Sequence, residues 1–560
     1  MNKKWVLREK ISDELEKQLL FYRGIKTEEE AEKFFHPDYE RDLRDPFGFP
    51  VMEKIVSRIA KAIEVNEKIV VFGDYDADGI CACVIFHDFF KKIGFENFQA
   101  YIPDRSQEGY GLNLKAIDEF IKQKTGLIIT VDCGITDIEE IKKANAAGID
   151  VIVIDHHLAS QGVPPAFAVL DLFIEGEEHP FKQFCGAGLA FKVVSALVKN
   201  DAFKITSGWE KWLLDVAAIA TVADRFPLID ESRILVFYGL EVLKKTRRKG
   251  LHALFRKLQI DKLNITEDDI GFYIAPCINV ASRMDHATIS YSLLITESDE
   301  EAEALSSRLV ELNNERKKKT EEIFGEIDSK LEGMENLPEI LVLGDEKWPL
   351  GVLSLLANKI LEKYNRPAIV WGRGKTEIQG SCRSNGKINL VELLTAIGDK
   401  MLDDFGGHAL ASGFSIKEGK ISELNKEVEK AYEKVSHYEI ELPYLWLDVE
   451  LNLENVDWHL IELLEKFRPF GMANAKPVFL FSNLEVYNAK TFGNGGIHLQ
   501  LDFKKPSGEV VPAIGFFMQQ RLDFDIAKDS QVDLAASIEK SMFKGYPELR
   551  MRIVDVRPAQ

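Results

Sequence analysis

Short apolar runs alternate with amphipathic segments between residue 51 and about residue 230. Residues 68–72, 126–131 and 151–154 are β-branched and apolar at consecutive positions, which is typical of parallel strands that are buried on both faces. Between them, residues 113–124 and 138–147 repeat their apolar positions at helical spacing. This alternation predicts an α/β domain built on a parallel sheet.

Acidic residues follow each of these three predicted strands. Asp74, Asp132 and Asp155 all lie within two positions of a strand end, and Asp224 follows the apolar run 216–222. In an open α/β sheet, ligands bind outside the carboxyl ends of the strands. We therefore expect a site at this edge of the sheet.

Residues 298–333 change the pattern to dense charge with apolar residues at helical spacing. Ser298 and Glu301 form a predicted capping box, and Gly333 ends the segment. A helix of this length would span about 50 Å at 1.5 Å per residue, which suits a connector between two lobes. The alternative, a helix packed along a core, is less favoured because so little of the segment is apolar. Asn313-Asn314 are expected to interrupt the helix.

A second α/β unit and a β-rich segment follow this helix. The unit opens with the strand-like run 339–343, includes 367–370 and extends to about residue 435. From residue 443 onward, alternating runs such as 497–501 and 549–556 predict a small β-barrel. Residues 493–496 are predicted to form a hairpin turn inside it.

Composition narrows the class of protein. Of 560 residues 46% are hydrophobic, with 38 glycines and 19 prolines, which excludes a disordered or collagen-like chain. The chain opens without the apolar core of a signal peptide and has no run of 18 apolar residues. Six cysteines without zinc spacing predict buried free thiols. We expect a cytoplasmic protein that has no membrane partner.

The net charge of −20 argues at first against binding to nucleic acid, since phosphate binders usually carry basic excess. The charge is unevenly distributed, however. Residues 359–387 sum to +5, and residues 466–560 sum to +3. Local basic surface is what a phosphate senses within a Debye length, so these two stretches are candidates for lining a strand-binding groove. The alternative is that they are merely solvated faces.

The segment Gly73-Asp-Tyr-Asp-Ala-Asp-Gly79 is the strongest indication of chemistry. Three carboxylates at alternate positions repel one another unless cations hold them. A polar turn with capping aspartates is the alternative, but it does not explain why the next strands end in Asp132 and in Asp155-His156-His157. Oxygen ligands with imidazole suit Mn²⁺ or Mg²⁺. Several carboxylates around one site indicate two ions about 4 Å apart, an arrangement that hydrolyses phosphate esters.

These residues carry a family resemblance that extends along the chain. Asp155-His-His157, Asp74-Tyr-Asp-Ala-Asp78 and Val131-Asp-Cys-Gly134 resemble the DHH phosphoesterase superfamily. Further motifs resemble its RecJ branch of single-strand-specific DNA exonucleases, in that family's order: Tyr101-Ile-Pro-Asp-Arg105, Glu108-Gly-Tyr-Gly-Leu112, Ala220-Thr-Val-Ala-Asp224, Asn279-Val-Ala-Ser-Arg-Met284, Trp348-Pro-Leu-Gly-Val352, Gly380-Ser-Cys-Arg-Ser384, Gly406-Gly-His-Ala409 and Arg468-Pro-Phe-Gly-Met-Ala-Asn474.

The resemblance implies a role for each matching residue. The metal-binding positions are Asp76, Asp78, Asp132, His156 and Asp224. His157 matches a histidine that touches the scissile phosphate or the second metal, while Asp74 and Asp155 match outer ligands or groups that orient imidazole and water. Substrate-facing positions are Arg105, Arg283, Ser381, Arg383 and His408. Asp104, Ser282 and Ala473 depart from the family pattern of Asn, Gly and Gly, and Asp104 puts the phosphate contact of its neighbour Arg105 in doubt.

The resemblance also implies an architecture and a reaction. The expected parts are an N-terminal segment (1–50), a DHH catalytic domain (51–295), a connector helix (296–333), a DHH-associated domain (334–438) and an OB-fold-like nucleic-acid-binding barrel (439–560). The implied reaction is 5′→3′ degradation of single-stranded DNA to nucleoside 5′-monophosphates in recombination and repair, with two Mn²⁺ or Mg²⁺ ions. A helicase and a single-strand-binding protein are the partners such a role would use.

Two other functions stay open at this point. A DHH phosphatase for short oligonucleotides, polyphosphate or cyclic dinucleotides would use the same acidic set, but such chains typically lack a C-terminal barrel. A non-catalytic DHH scaffold would have lost metal positions, and all of them are present here. Tyr487, Phe492 and Phe503 are candidates for stacking bases in the barrel, although aromatic residues of small barrels are more often core.

Overall fold

The computed structural model describes residues 3–105, 107–159, 162–374, 377–417, 419–438, 443–519, 522, 524–542 and 545–559. The chain divides into two units. Unit 1 combines Met1–Asp42 with Glu441–Gln560, and unit 2 is Leu43–Ile440. Residues from both ends of the sequence therefore share one unit. No helix among the described residues is long and apolar enough to cross a membrane.

The strands are β1 (Lys4–Leu7), β2 (Lys68–Gly73), β3 (Phe98–Tyr101), β4 (Thr125–Val131), β5 (Asp150–Ile154), β6 (Ala168–Leu170), β7 (Leu341–Asp345), β8 (Ala368–Arg373), β9 (Ile378–Arg383), β10 (Leu402–His408), β11 (Ala411–Ile416), β12 (Tyr444–Leu447), β13 (Val449–Glu450), β14 (Phe479–Phe492), β15 (His498–Lys504), β16 (Val510–Gly515), β17 (Gln531–Ser541) and β18 (Glu548–Pro558).

The α-helices are α1 (Leu15–Phe21), α2 (Glu28–Phe35), α3 (Tyr39–Asp42), α4 (Met52–Glu64), α5 (Ala77–Lys92), α6 (Leu114–Lys122), α7 (Ile138–Ala146), α8 (Gly186–Val198), α9 (Leu214–Ala223), α10 (Asp230–Leu243), α11 (Lys249–Leu258), α12 (Glu267–Asp269), α13 (Ala275–Met284), α14 (Thr288–Ile295), α15 (Asp299–Glu332), α16 (Leu350–Tyr364), α17 (Leu390–Ile397), α18 (Leu424–Tyr432) and α19 (Trp458–Glu465).

A parallel five-stranded sheet forms the first half of unit 2, in the order β3-β2-β4-β5-β6. Alternate residues of its central strands, such as Val70, Ile128 and Val151, pack on α6 and α7. The residues between them are buried on the opposite face of the sheet. The predicted parallel sheet is confirmed, with strand ends within one residue of their predicted positions.

Helix α15 runs without a break for 34 residues. The predicted interruption at Asn313-Asn314 is wrong, because Asn313 is buried and its Nδ2 donates to Cys277 Sγ at 3.5 Å. The helix buries nine side chains along its length and packs against α11, α13 and α14, and then against α16. It therefore joins both halves of unit 2 while being packed against each of them.

The second half of unit 2 contains a mixed sheet in the order β10-β11-β9-β8-β7. Only the β7–β8 pair is parallel among these neighbours. Helices α17 and α18 cover one face through a core that includes Leu393, Phe414 and Val428. On the other face, α16 and the end of α15 pack on alternate residues such as Leu341 and Val370.

Unit 1 contains a closed five-stranded barrel, β14-β15-β16-β18-β17, in which β17 also pairs with β14. Its core includes Phe479, Leu501 and Met551, and α19 and α1 contribute to the same core. The predicted OB-like barrel is confirmed, as is a tight connection between β14 and β15 around residues 493–496. Outside the barrel, β1 pairs in parallel with β12. All six cysteines are described, buried and free, as predicted.

Candidate metal centre

The acidic residues meet because their strands are neighbours. Strand β4 lies between β2 and β5, and all three are parallel, so their carboxyl ends share one edge. Asp74, Asp132 and Asp155 are each the first residue after a strand end or next to it. The edge predicted from the sequence is therefore the edge at which the side chains converge.

The N-terminus of α5 positions two further carboxylates. Asp76 is the N-cap, and its Oδ1 accepts from the backbone N–H groups of Asp78 and Gly79 at 2.8 and 3.3 Å. Asp78 lies in the first turn and is 1% exposed, with its two oxygens accepting from Gly186 N and Ala187 N at 2.6 and 2.7 Å. The N-terminus of α8 thereby holds Asp78 in place, and helix N-termini stabilise negative charge.

Asp132 is held in an unusual backbone conformation. Its φ is 60°, in the left-handed region, and its N–H donates to Ile154 O at 2.9 Å. Gly186 approaches it so closely that a Cβ at position 186 would lie 2.5 Å from the Cβ of Asp132. Strain of this kind persists where the surrounding structure over-determines it, which is common at functional sites.

His156 lies at the centre of the carboxylates. Its Nε2 is 2.9 Å from Asp132 Oδ1, 3.7 Å from Asp78 Oδ2 and 3.8 Å from Asp224 Oδ2. Burial, with the adjacent charge of His157, lowers the pKa of His156 to about 4. The imidazole is therefore neutral at neutral pH, which is the form that binds a metal ion.

His157 has the opposite electrostatics. Its Nδ1 is 2.7 Å from Asp155 Oδ1, and although burial works against it, this hydrogen bond raises the pKa of His157 to about 9. Asp155 is fully buried and also accepts from the backbone N–H of Ile135, His156 and His157. Tyr110 Oη lies 3.1 Å from the same Nδ1, and it donates to Asp132 O at 3.0 Å. His157 is thus held by Nδ1, with Nε2 left for a ligand.

The carboxylates are destabilised by their own proximity. Burial and the charge of Asp76 raise the pKa of Asp78 to about 6, and burial with the charges of Asp78 and Asp76 raises the pKa of Asp224 to about 8. Burial and neighbouring carboxylates also raise the pKa values of Asp74 and Asp132. Positive charge placed among them would relieve this repulsion.

The side chains fit divalent cations. Three overlapping groups each offer ligand atoms within 4.8 Å of one another: Asp74, Asp76 and Asp132; Asp78, His156 and Asp224; and Asp132, His156 and His157. Oδ1 of Asp74 is buried and has no hydrogen-bond partner in the part of the chain that is described. A buried, unpartnered carboxylate oxygen beside two other carboxylates is suited to a cation. Asp155 belongs to none of these groups, since its oxygens are used by the backbone and by His157.

Arginines gather beside the acidic group. The guanidinium of Arg105 lies 5.1 Å from the centre of the Tyr75 ring. Burial, with the charges of Arg105 and Arg316, lowers the pKa of Arg283 to about 10, and Asp76 opposes that shift. Arg283 also donates to Ser354 Oγ of α16 at 3.1 Å. Like charges held together in this way form an anion site next to Asp76.

Ser381, Arg383 and His408 form a second group, on the mixed sheet. Arg383 and His408 both pair with Ala411 across the strands, so they share a face, and Arg383 donates to Ser381 Oγ at 3.1 Å. Opposite Ser381 lies Gly413, so backbone forms the floor beside these side chains. Among the described residues, no hydrogen bond or ion pair joins this group to the acidic group.

The basic stretch 359–387 does not present the free positive surface expected from its charge. Its bases pair with acids outside the stretch: Lys359 with Glu321, Lys363 with Asp328 and Glu332, Arg366 and Lys387 with Glu339, and Arg373 with Glu346. Lys375 lies outside the described residues. The expectation is therefore wrong for these five bases, because a count along the sequence omits the neighbouring acids. Arg383 has no such pair in the described chain.

The departures from the family pattern and the stacking candidates can now be placed. Asp104 accepts from Gln107 rather than pairing with Arg105. Ala473 has a φ of 60°, a conformation that glycine adopts more easily. In the barrel, Phe503 is buried in the core, which removes it as a stacking candidate, whereas Tyr487 is 46% exposed beneath Lys504.

Family comparisons follow the same division of the chain. The DHH family N-terminal domain matches residues 68–221, the DHHA1 domain matches residues 338–434 and the RecJ OB domain matches residues 447–555. A crystal structure of exonuclease RecJ bound to manganese is 30% identical, with 69% of this chain and 95% of that chain covered and a TM-score of 0.61. This chain belongs to the RecJ family.

Two further RecJ proteins extend the comparison. The single-stranded-DNA-specific exonuclease RecJ of Bacillus subtilis strain 168 is 33% identical over 500 residues, which cover 89% of this chain and 62% of that protein. The chain thus spans about three-fifths of the length of that relative. RecJ of Thermus thermophilus, crystallised with Mn²⁺, covers all of this chain and 80% of its own at 24% identity, with a TM-score of 0.82. The RecJ fold therefore extends over the whole chain.

Three residues of this RecJ-family site were not predicted from the sequence. Arg316 interrupts an acidic helix with the basic run Arg316-Lys-Lys-Lys319, which is a usable signal, but its position beside Arg283 depends on helix packing. Asn279 accepts from Ala77 N at 2.7 Å and so supports the α5 N-terminus. Tyr110 lies in a quoted motif, yet its contact with His157 spans 47 residues.

Proposed function

We propose that this protein is a divalent-metal-dependent exonuclease that degrades single-stranded DNA from the 5′ end to nucleoside 5′-monophosphates. The observation that carries the proposal is the convergence of buried carboxylates and two histidines at one sheet edge, in a RecJ-family chain. Two Mn²⁺ or Mg²⁺ ions are the proposed cofactors. When bound, they supply activated water and the positive charge that stabilises phosphoryl transfer.

The metal ligands are proposed to be Asp74, Asp76, Asp78, Asp132, His156 and Asp224. Asp132 and His156 each belong to two of the three ligand groups, so they are candidates to bridge or to serve both ions. The neutral state of His156 keeps a lone pair on Nε2 for a cation.

His157 is proposed to contact the scissile phosphate. Its raised pKa keeps a proton on the ring at neutral pH, and the hydrogen bond of Nδ1 to Asp155 directs Nε2–H outward. A protonated imidazole donates a charge-assisted hydrogen bond to a phosphate oxygen, and it stabilises negative charge that develops there. Asp155 acts as the group that holds His157 in this orientation and charge state.

Two anion sites are proposed to hold the DNA backbone. Arg105 and Arg283 lie beside Asp76, where a phosphate next to the reacting one would be bound. Ser381, Arg383 and His408 share a sheet face with a glycine floor, which suits close approach of a terminal 5′-phosphate. Release of mononucleotides from a 5′ end is consistent with two separated phosphate sites.

The biological setting is proposed from the family. RecJ-family membership supports a role in DNA recombination and repair in the cytoplasm. A helicase that opens duplex DNA and a single-strand-binding protein that coats it are the proposed partners. Within the chain, residues 51–295, 296–333, 334–438 and 439–560 are proposed as the catalytic domain, connector, DHH-associated domain and nucleic-acid-binding domain, after an N-terminal segment 1–50.

Digestion of end-labelled DNA tests this function. A single strand of about 60 nucleotides, labelled at either end and with or without a 5′-phosphate, is incubated with Mn²⁺. A 5′ label should appear at once as mononucleotide, whereas a 3′ label should pass through progressively shorter strands. Asp132→Ala should lower the rate at least ~100-fold, since removal of groups that only support a metal ligand already costs 10–100-fold.

Asp118→Ala is the matched control, because Asp118 is an exposed helix carboxylate whose partner is Lys143. It should retain the wild-type rate. Full activity in Asp132→Ala would refute the metal site, and initial loss of the 3′ label would refute the polarity. Faster hydrolysis of a trinucleotide than of the long strand would favour a short-oligonucleotide phosphatase.

A further inference from the structure

Strand β12 of unit 1 turns large aromatic side chains toward solvent. Tyr444 and Trp446 are 44% and 49% exposed, whereas Leu445 and Leu447 between and after them are buried at 8% and 1%. A strand at the surface of a folded domain normally alternates polar residues outward with apolar residues inward. Here the outward positions are the two largest aromatic types, which is typical of a binding surface.

Cations lie over these rings. In the parallel pairing of β1 with β12, Lys4 is opposite Tyr444 and Val6 is opposite Trp446. Lys4 Nζ lies 5.5 Å from the centre of the Tyr444 ring. One alternation further along the chain, the guanidinium of Arg8 lies 5.2 Å from the Trp446 ring and 4.4 Å from the Tyr22 ring.

We name this row the aromatic ladder; it consists of Lys4, Tyr444, Trp446, Arg8 and Tyr22. The Tyr444 and Trp446 rings are 5.9 Å apart and inclined by 38°, so they present neighbouring faces rather than one closed stack. Positions i and i+2 on a strand are separated by about 6.7 Å. That is about twice the 3.4 Å rise between stacked bases, so an extended strand can place successive bases on both rings.

The charges of the ladder select the ligand. Arg8 Nε lies 3.3 Å from Asp448 Oδ1, and no second carboxylate is within ion-pair distance of Arg8 among the described residues. Lys4 has no ion pair in the same part of the chain. Aromatic faces with cations beside them, and no sequence-reading amides between them, are the parts of a surface that binds single strands without sequence preference.

We propose that the aromatic ladder is a binding site for unpaired DNA, built by the N-terminal strand together with β12 and lying outside the barrel. The proposal rests on the proposed function for the identity of the strand as DNA. Bases stack on Tyr444 and Trp446, while Lys4 and Arg8 contact the phosphates. The N-terminal segment, which has no role in the chemistry, thereby contributes to holding the substrate.

Binding is tested apart from cleavage. The full chain is titrated into fluorescein-labelled dT40 with a chelator present, and the anisotropy is recorded at low and high salt. Trp446→Ala should weaken binding about five- to a hundredfold, because loss of one base–aromatic stack corresponds to ~1–3 kcal/mol. Trp446→Phe should restore binding to within about threefold, since a ring is kept. The wild-type tryptophan fluorescence should be quenched by dT40, and Trp446→Phe should lose most of that quenching.

Trp458→Ala is the matched control, because Trp458 is a 46% exposed tryptophan on α19 of the same unit. It should bind dT40 as the wild type does. Wild-type affinity in Trp446→Ala would overturn the proposal, and so would an equal loss in Trp458→Ala or no quenching by DNA. An inactive wild type with Mn²⁺ would refute the exonuclease but leave these binding results decisive. Loss of binding to a protein partner while DNA affinity stays unchanged would assign the ladder to protein docking.

Discussion

The close approach of α8 to Asp132 leads to a prediction for Gly186→Ala. The new Cβ would lie 2.5 Å from the Cβ of Asp132 and 3.0 Å from its Cγ, whereas carbon atoms in contact are about 3.5–4.0 Å apart. Relief of the overlap requires a shift of about 1 Å in the carboxylate or in α8. A shift of that size reduces catalysis by about 10²-fold, and overpacking costs about 1–3 kcal/mol of stability. We therefore expect weaker metal binding, by at least about tenfold, in a protein that still folds.

Calorimetric titration with Mn²⁺ and rates of single-strand digestion across a Mn²⁺ series measure the two effects. Gly188→Ala is the matched control two residues further along α8. A Cβ there meets only side-chain atoms of Phe184, Leu235 and Cys185, at 3.3 Å or more, which can move aside. If Gly186→Ala bound Mn²⁺ within twofold of the wild type, with an unchanged rate, the carboxylate of Asp132 would not be a ligand held by this contact.

Three further outcomes are expected. Without metal, the raised pKa values of Asp78, about 6, and Asp224, about 8, mean that stability is lost as pH rises through this range; the thermal midpoint with chelator should fall from pH 5.5 to 8.5, and Mn²⁺ should raise it more at pH 8.5 than at 5.5. A pH-independent Mn²⁺ effect would contradict this. Asp155→Asn should lower kcat by about 10²-fold or more with little change in KM, because the imidazole it holds loses its charged partner; equal changes in kcat and KM would argue for a merely structural role. Arg316→Ala should raise KM for single strands about tenfold, while Lys317→Ala on the exposed side of α15 should not; equal effects in the two variants would remove Arg316 from the anion site.

The strand pattern predicted the catalytic fold well because buried parallel strands are marked twice. Their residues are apolar on both faces, and acids follow their ends, so β2, β4 and β5 stand out. The pairing of β1 with β12 has no such mark. It joins Lys4 to Tyr444 across about 440 residues, and nothing local in either segment indicates the other. The continuity of α15 was missed because the burial of Asn313 against Cys277 is a tertiary contact.

The site divides in a similar way. Ligands such as Asp76 and His156 could be predicted because chemistry restricts their residue types and the motif order supplies the register. The second row of contacts could not. Tyr110 reaches His157 only because the loop after β3 folds over the sheet edge, and the bases at 359–387 lose their free charge to acids on α15 and Glu339.

The pairing of β1 with β12 also determines when unit 1 can form during synthesis. Strand β1 leaves the ribosome early, but its partner follows about 440 residues later, a delay of roughly 20–90 s at 5–20 residues per second. Throughout that interval β1 has an open backbone edge that other chains could pair with. Lys3, Lys4 and Arg8 flank its short apolar run, and charges at such positions discourage edge-to-edge association. Two of the cations that lie over the ladder's rings in the folded protein would thus protect the nascent strand before those rings exist.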